Sequence, residues 1–425
     1  MKVRVNKLRE TLKVLQPAVA GRKATLPVTQ NILVKEGRLS ATNLELFISV
    51  ALAEADGDAF TFPFAEMKDI LAALPGYETV ELEASANEVR LRTSHSAFTM
   101  EGLDAGEFPP EPGVEPDEVK VDGDAFVEAL EALRPYAATE KDRPALTGIY
   151  VQFGDPAQVA AVDGFRLSWR SLPFAIQPLP DVDPLIIPAT SVTALKSVWQ
   201  AAPKPPEMPT SSEPPHRKSL DIARLAVAKR PIVLRFGAAR LCCQFGDTRF
   251  TTQLLTGSFP DYKQLIPTGQ EKRVVFEAGA FGLALRQLGH VGNVVQISWE
   301  ERTMKIAVHA GEASSAESTI SCSSQGGLAR IAFNLRYLND YFGGREGQVM
   351  LEVKDVKSPA LFTYRGEPNM VLMPINAKWE EGPEGEPPQV NDEPQEKPEE
   401  KPKARRNRRK KGAVPVDTPV TTGVD

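Results

Sequence analysis

Cysteine is scarce in this chain, with three in 425 residues. Cys242 and Cys243 are adjacent and Cys322 stands alone, a spacing that makes neither a disulfide framework nor a metal-ligand set. Along a strand the vicinal pair alternates, so one thiol is expected buried and the other exposed, both structural. The four histidines, His95, His216, His290 and His309, are scattered without a general-base or metal pattern. Glycine-containing segments near Gly279, Gly343 and Gly347 match neither a P-loop nor a dinucleotide fingerprint. No apolar run approaches a membrane span, and the opening MKVRVNKLRE lacks the apolar segment of a signal peptide. The protein is therefore expected in the cytoplasm, with no membrane partner and no cofactor. A net charge of −6 excludes a surface that is basic throughout, while leaving room for one basic face on an acidic body.

What is present is a repeat. Val119 and Val121 alternate as in a half-buried strand, and Phe126, Leu130 and Leu133 follow at the spacing of one helix face. The same module returns at Val274/Phe276 with Phe281, Leu285 and Leu288, and at Phe60/Phe62 with Met67, Ile70 and Leu74. It returns again at Leu185/Ile187 with Val192, Leu195 and Trp199, and more weakly at Ile331/Phe333 with Leu338 and Tyr341. The chain start, Val3/Val5 then Leu8, Leu12 and Leu15, is the same module with a shorter connector. Six strand–helix half-units imply an internally repeated α+β fold. Composition punctuates it into a unit over 1–115, a second over 118–262 and a third over 268–376. A Pro/Ser-rich loop insertion interrupts the second at about 202–216, and an acidic then basic tail, expected to be disordered, occupies 377–425. Its KARRNRRKK run (403–411) is a solvated tail or, as a minority reading, a second nucleic-acid tether.

On GRKATLPVTQNILV (21–34), ATNLELFISV (41–50), EFPP (107–110), VAAVDGFRLSWRSLP (159–173), SFPDYKQLIP (258–267), FNLRYL (333–338) and VLMPI (371–375), the sequence resembles the bacterial sliding clamps, the beta subunits of DNA polymerase III. The resemblance spans about residues 1–376. It implies three similar domains, each of two strand–helix half-repeats, with antiparallel sheets outside and helices inside, in a dimer that closes a ring around duplex DNA. It implies a non-catalytic processivity factor whose partners are double-stranded DNA, the replicative polymerase catalytic subunit, the clamp loader and other proteins carrying a clamp-binding motif.

Such a ring needs cations that hold phosphates without reading bases. Lys13, Lys68, Lys196, Arg286 and Arg336, all off the apolar helix stripes, are the candidates, with Lys7, Arg9 and Arg134 similarly placed. The loops at Arg22–Lys23 and Lys141–Arg143 resemble the family's DNA-contacting loops. Ala72, Ala73, Ala189 and Thr190 stand where basic residues are expected, which thins that surface. The family's partner-peptide groove maps onto Leu146, Val162, Gly164, Phe165, Arg166, Leu167, Pro260, Leu265, Val371, Met373, Pro374 and Ile375. There an apolar, Met-containing surface would adapt to several peptides and Arg166 would hold peptide carbonyls. Val162 and Phe165 replace a polar residue and a histidine common in the family, making the groove more apolar. Phe108 matches a position buried at the dimer contact of the family, with a core phenylalanine as the equally weighted alternative. The competing classes are a clamp-like adaptor that binds peptides without closing on DNA and, far behind, a metal-dependent nuclease.

Overall fold

In a computed structural model of the chain, all six expected modules are present, each a short strand running directly into a helix. The structure describes residues 1–85, 88–113, 118–140, 142–176, 184–203, 230–310, 314–327, 329–365 and 368–377. The tail after 377, the insertion beyond 203 and Lys141 lie outside the described residues. Met1–Ala377 forms one compact unit.

The helices are α1 (Val5–Leu15), α2 (Phe64–Ala73), α3 (Gly123–Leu133), α4 (Ala189–Ala201), α5 (Ala278–Leu288) and α6 (Leu335–Phe342). Their apolar stripes are buried at the i, i+3, i+4 spacing the sequence carries: Leu8, Leu12 and Leu15 on α1, and Phe281, Leu285 and Leu288 on α5. Val5, expected in the first strand, instead opens α1, since β1 ends at Arg4. At the corresponding joint before α3, Gly123 is required by space. A Cβ there would lie 2.3 Å from the Trp199 ring and 2.6 Å from the Arg230 carbonyl. The helices pack in pairs, α1 with α2, α3 with α4 and α5 with α6, and α1 also packs on α4.

The starter strands are β1 (Lys2–Arg4), β5 (Phe60–Pro63), β9 (Glu118–Asp122), β13 (Leu185–Pro188), β17 (Lys272–Glu277) and β21 (Ala329–Asn334). Each starter is followed, after its helix, by a three-stranded antiparallel meander. In order these are β2 (Asn31–Lys35), β3 (Arg38–Thr42) and β4 (Leu46–Ala51); β6 (Thr79–Ser85), β7 (Glu88–Arg92) and β8 (Ala97–Glu101); β10 (Gly148–Gln152), β11 (Gln158–Val162) and β12 (Arg166–Ser171). The second half continues with β14 (Pro231–Phe236), β15 (Arg240–Phe245) and β16 (Thr248–Gln253); β18 (Val294–Glu300), β19 (Thr303–Ala310) and β20 (Ser314–Gln325); β22 (Gln348–Val353), β23 (Ala360–Tyr364) and β24 (Asn369–Leu372). Strands β4 and β18–β20 were not individually expected, although Val295, Ile297 and Trp299 on β18 alternate as in a half-buried strand; β20 is largely exposed and carries a serine-rich sequence.

Two seams join these meanders. β4 pairs with β16 in an 8-stranded sheet, and β12 pairs with β24 in a 12-stranded sheet. In both, the last strand of one meander meets the last strand of a later one. The vicinal thiols correct their expectation: Cys242 and Cys243 are 6% and 0% exposed, because β15 is flanked by β14 and β16 and covered on both faces. Burial pushes both thiols above their ordinary pKa, so neither is a reactive nucleophile.

Candidate partner groove and cationic face

The groove residues gather around one tight turn between β11 and β12. Asp163 Oδ1 accepts the backbone N–H groups of Phe165 (3.0 Å) and Arg166 (2.9 Å), and Gly164 takes the positive φ of 92° that such a turn demands. Phe165 is thereby pushed outward and is 60% exposed. On the strand that follows, Arg166 faces Leu372 and Leu167 faces Val371 across the β12–β24 seam, and the Met373 N–H donates to the Phe165 carbonyl at 2.9 Å.

Beside this turn Leu146, Ala160, Val162, Leu167, Tyr262 and Val371 form a small apolar cluster separate from the main core. Four of them are sequence-predicted groove residues. Leu146 sits on a short 3₁₀ turn (Pro144–Thr147) just before β10, with Pro144 fixing the backbone at its start. Val162, Leu167 and Val371 come from β11, β12 and the seam with β24. Phe259, Ile266 and Leu361 pack against the cluster, and Phe259 stacks on Tyr150 at 4.6 Å. The Tyr262 hydroxyl donates to Gln158 Oε1 at 2.6 Å, and burial pushes its pKa up to about 12. Leu265 (47%) and Met373 (42%) remain exposed, as does Pro260, while Pro374 and Ile375 are half-buried. The result is an apolar floor with a rim of exposed large side chains, a surface complementary to bulky apolar groups.

Arg166 does something other than expected. Its side chain is 3% exposed, and its Nε and Nη1 reach Asp163 Oδ2 at 2.8 Å and Asp340 Oδ2 at 2.7 Å. Nη2 donates to the Pro135 carbonyl at 2.5 Å, and the guanidinium lies between the rings of Tyr136 (4.9 Å) and Tyr337 (4.2 Å). Three of its five N–H donors are committed inside the protein and the side chain is buried, so it serves as an internal tie and is poorly placed to reach the carbonyls of a bound peptide. Tyr337 in turn stacks on Phe165 at 6.4 Å. Burial, then the nearby Asp163 charge, raises the Tyr337 pKa. Tyr136, Asp163, Tyr337 and Asp340 were absent from the sequence-derived set. Tyr337 lies within FNLRYL and Asp163 within VDGFRL, so the motifs pointed at them without indicating a role.

Phe108 is 6% exposed and closes a small core with Val28, Leu33 and Phe47, meeting the Phe47 ring edge-on at 6.5 Å. That is the place of a core phenylalanine within the single chain.

Of the candidate cations, Lys13, Arg22, Lys23, Lys68, Arg143, Arg286 and Arg336 are exposed. Lys68 reaches the Gln16 side chain at 3.3 Å. Lys196 is different, paired with Glu131 at 2.9 Å, and Arg134 shares the same carboxylate at 3.1 Å. Lys7 pairs with Glu54 at 2.7 Å, and Arg9 donates to the Leu71 and Leu74 carbonyls at the end of α2. α3 presents Asp124, Glu128 and Glu131 and no lysine or arginine. The cationic face is therefore thinner than the residue list suggests. A cavity of about 560 Å³ lies elsewhere, lined among others by Val14 of α1, Trp199 of α4 and Arg230 just before β14; it shares no residue with the groove cluster.

Residues 1–112 match the family model described as DNA polymerase III beta subunit, N-terminal domain. The beta sliding clamp of Caulobacter vibrioides is 28% identical over 386 residues, covering 84% of this chain and 95% of that protein. The beta sliding clamp of Escherichia coli K12 is 26% identical over 335 residues, covering 75% and 83%. In fold, the chain is similar to the DNA polymerase III subunit beta of Pseudomonas aeruginosa, with a TM-score of 0.76 at 24% identity over 89% of this chain and all of that one. It is equally similar, with a TM-score of 0.76 at 22% identity over 89% and 99% of the two chains, to a sliding clamp from Bartonella birtlesii solved bound to griselimycin.

Proposed function

On the premise that this chain belongs with the DNA polymerase III beta subunits, the sliding clamps, we propose that it is a DNA polymerase processivity factor. In this reading two copies close a ring around duplex DNA and tether the replicative polymerase, the clamp loader and other partners through the apolar groove at the β12–β24 seam.

The observation that carries the reading is a strand pattern left incomplete within one chain. β4 closes the first meander and pairs with β16; β12 closes the next of its kind and pairs with β24. By the same rule β20 calls for β8, which ends the remaining meander. Among the described residues β8 pairs only with β7, while residues 314–321 of β20 pair only with β19. A head-to-tail neighbour supplies the missing match at each end, and two copies of three units complete the circle. The division into three domains, over 1–115, 118–262 and 268–376, follows the same pattern.

Clamping needs no bond-making step. Exposed Arg22, Lys23, Arg143, Arg286 and Arg336 would hold phosphates loosely and without sequence preference, so contacts stay mobile and salt-sensitive. No helix of the described residues is long and apolar enough to cross a membrane, and cytoplasmic residence is part of the proposal.

A second reading, an adaptor that binds partner peptides without closing on DNA, is favoured by the acidic face of α3 and by the pairing of Lys196 with Glu131. Topological retention separates the two. The protein is loaded onto nicked circular DNA with a bacterial clamp loader, freed of unbound protein, and half the sample is linearised. A sliding ring stays on circles and runs off linear DNA. Equal retention on both overturns the ring reading, and retention on neither, with a loader shown to act on this protein, selects the adaptor.

A further inference from the structure

The repeat contains its own comparison for the Arg166 network. At the first seam, Asn43 Oδ1 accepts the N–H groups of Glu45 (3.1 Å) and Leu46 (2.7 Å), as Asp163 does for Phe165 and Arg166. Leu44 takes the positive φ there, at 77°, and the Gln253 N–H donates to the Glu45 carbonyl at 3.2 Å, as Met373 does to Phe165. The two turns and seams thus coincide residue for residue. At the first seam, however, Leu46 stands in the place of Arg166. In the register of the repeated helix, where Val192 and Leu195 match Leu338 and Tyr341, Ser191 and Ala194 stand for Tyr337 and Asp340.

The first seam therefore forms without an arginine, a carboxylate or a tyrosine at these places. Strand pairing does not require the network, so the second seam carries it for something else. What it adds is a column of side chains: Phe165, Tyr337, the Arg166 guanidinium and Tyr136 lie one against the next. Only the outermost member, Phe165, is exposed, at the rim beside Met373. Asp340, 30% exposed on α6, ties the guanidinium to the helix that bears Tyr337. A buried guanidinium with fewer anionic partners would shift toward solvent and release the rings it supports.

We propose that Asp340 is a positioning residue for the groove: acting through Arg166, it holds the Phe165–Tyr337 pair as a rigid aromatic wall that grips an aromatic or long aliphatic side chain of a partner peptide. The inference rests on the reading of the groove as a peptide site. Preorganising that wall lowers the ordering cost of binding, which is where such a residue shows its effect.

The test uses the full chain and a fluorescein-labelled six-residue peptide carrying two leucines and a C-terminal phenylalanine, followed by anisotropy. Asp340→Asn is expected to raise the Kd about fivefold or more, the scale of coupling within one side-chain network. Asp340→Glu restores most of the affinity. In a Phe165→Ala background, where the wall is already gone, Asp340→Asn changes Kd less than about twofold. A merely structural role would lower the melting temperature and leave that non-additivity absent. Wild-type binding with an unmoved Asp340→Asn, or effects of the two substitutions that simply multiply, overturns the proposal alone. A wild-type protein that ignores the peptide, or binds it indifferently to Met373→Glu, overturns the groove reading and the proposal with it.

Discussion

Tyr262 joins the groove floor to the sheet behind it, and its hydroxyl makes the floor sensitive to alkali. Unfolded, a tyrosine ionises near pH 10, whereas burial in this fold pushes Tyr262 up to about 12. The folded state holds the proton more tightly, so stability is complete below about pH 10 and is lost as pH rises from there toward 12. Tyr136 and Tyr341, both deeply buried, shift in the same direction and add to the loss. Tyr262→Phe is expected to shrink the decline between pH 10 and 12, read from urea midpoints at successive pH values; an unchanged decline would remove Tyr262 from this account. At this scale the sequence located side chains better than it assigned their work. Leu146, Val162, Leu167 and Val371 were expected together and are together. The partners of Arg166 and Phe108 within the chain were not expected, because Asp340 and Phe47 lie 174 and 61 positions away and leave no local pattern to read.

The strand–helix module was legible because its two halves have different hydrophobic periods, and the switch from alternation to helical spacing is sharp at Phe126 and Phe281. The exposed edges were not legible, since an edge strand and an interior strand can share one alternation. On β8, the Thr93 N–H donates to the Ser96 carbonyl to close the hairpin, and the ladder to β7 runs from that pair. Counting along it, Phe98 and Met100 bond inward, and the backbone of Ala97, Thr99 and Glu101 faces the free edge. Thr99→Pro therefore deletes an outward donor without touching the β7 ladder. It is expected to yield monomers at micromolar concentration in sedimentation velocity, with a near-native circular dichroism spectrum. A variant that remains dimeric would argue against closure through this edge.

For the molecule as a whole, Met1–Ala377 carries all six modules, both seams and the unmatched meander ends at β8 and β20. Removal of residues 378–425 is accordingly expected to leave dimerisation and melting temperature unchanged; loss of the dimer in the truncated chain would show that the boundary is drawn in the wrong place. The basic run at 403–411 also predicts the direction of one further change. If it tethers nucleic acid, the truncated chain loses salt-sensitive binding to linear DNA while retaining its hold on circles.

The sequence by itself determined the repeated module, the order of helices and their buried stripes, because hydrophobic period is a local property that each segment carries alone. The turn at Asp163–Gly164 has a local signature as well, a side-chain acceptor beside a glycine that takes positive φ without strain. The tertiary structure decided which charges are free and which are spent, since pairing Lys196 with Glu131 or Arg166 with Asp340 depends on distances between segments far apart in the chain. It also decided that, among the strands that close a meander, β8 and residues 314–321 of β20 meet no other such strand, because that is known only once β4 has found β16 and β12 has found β24.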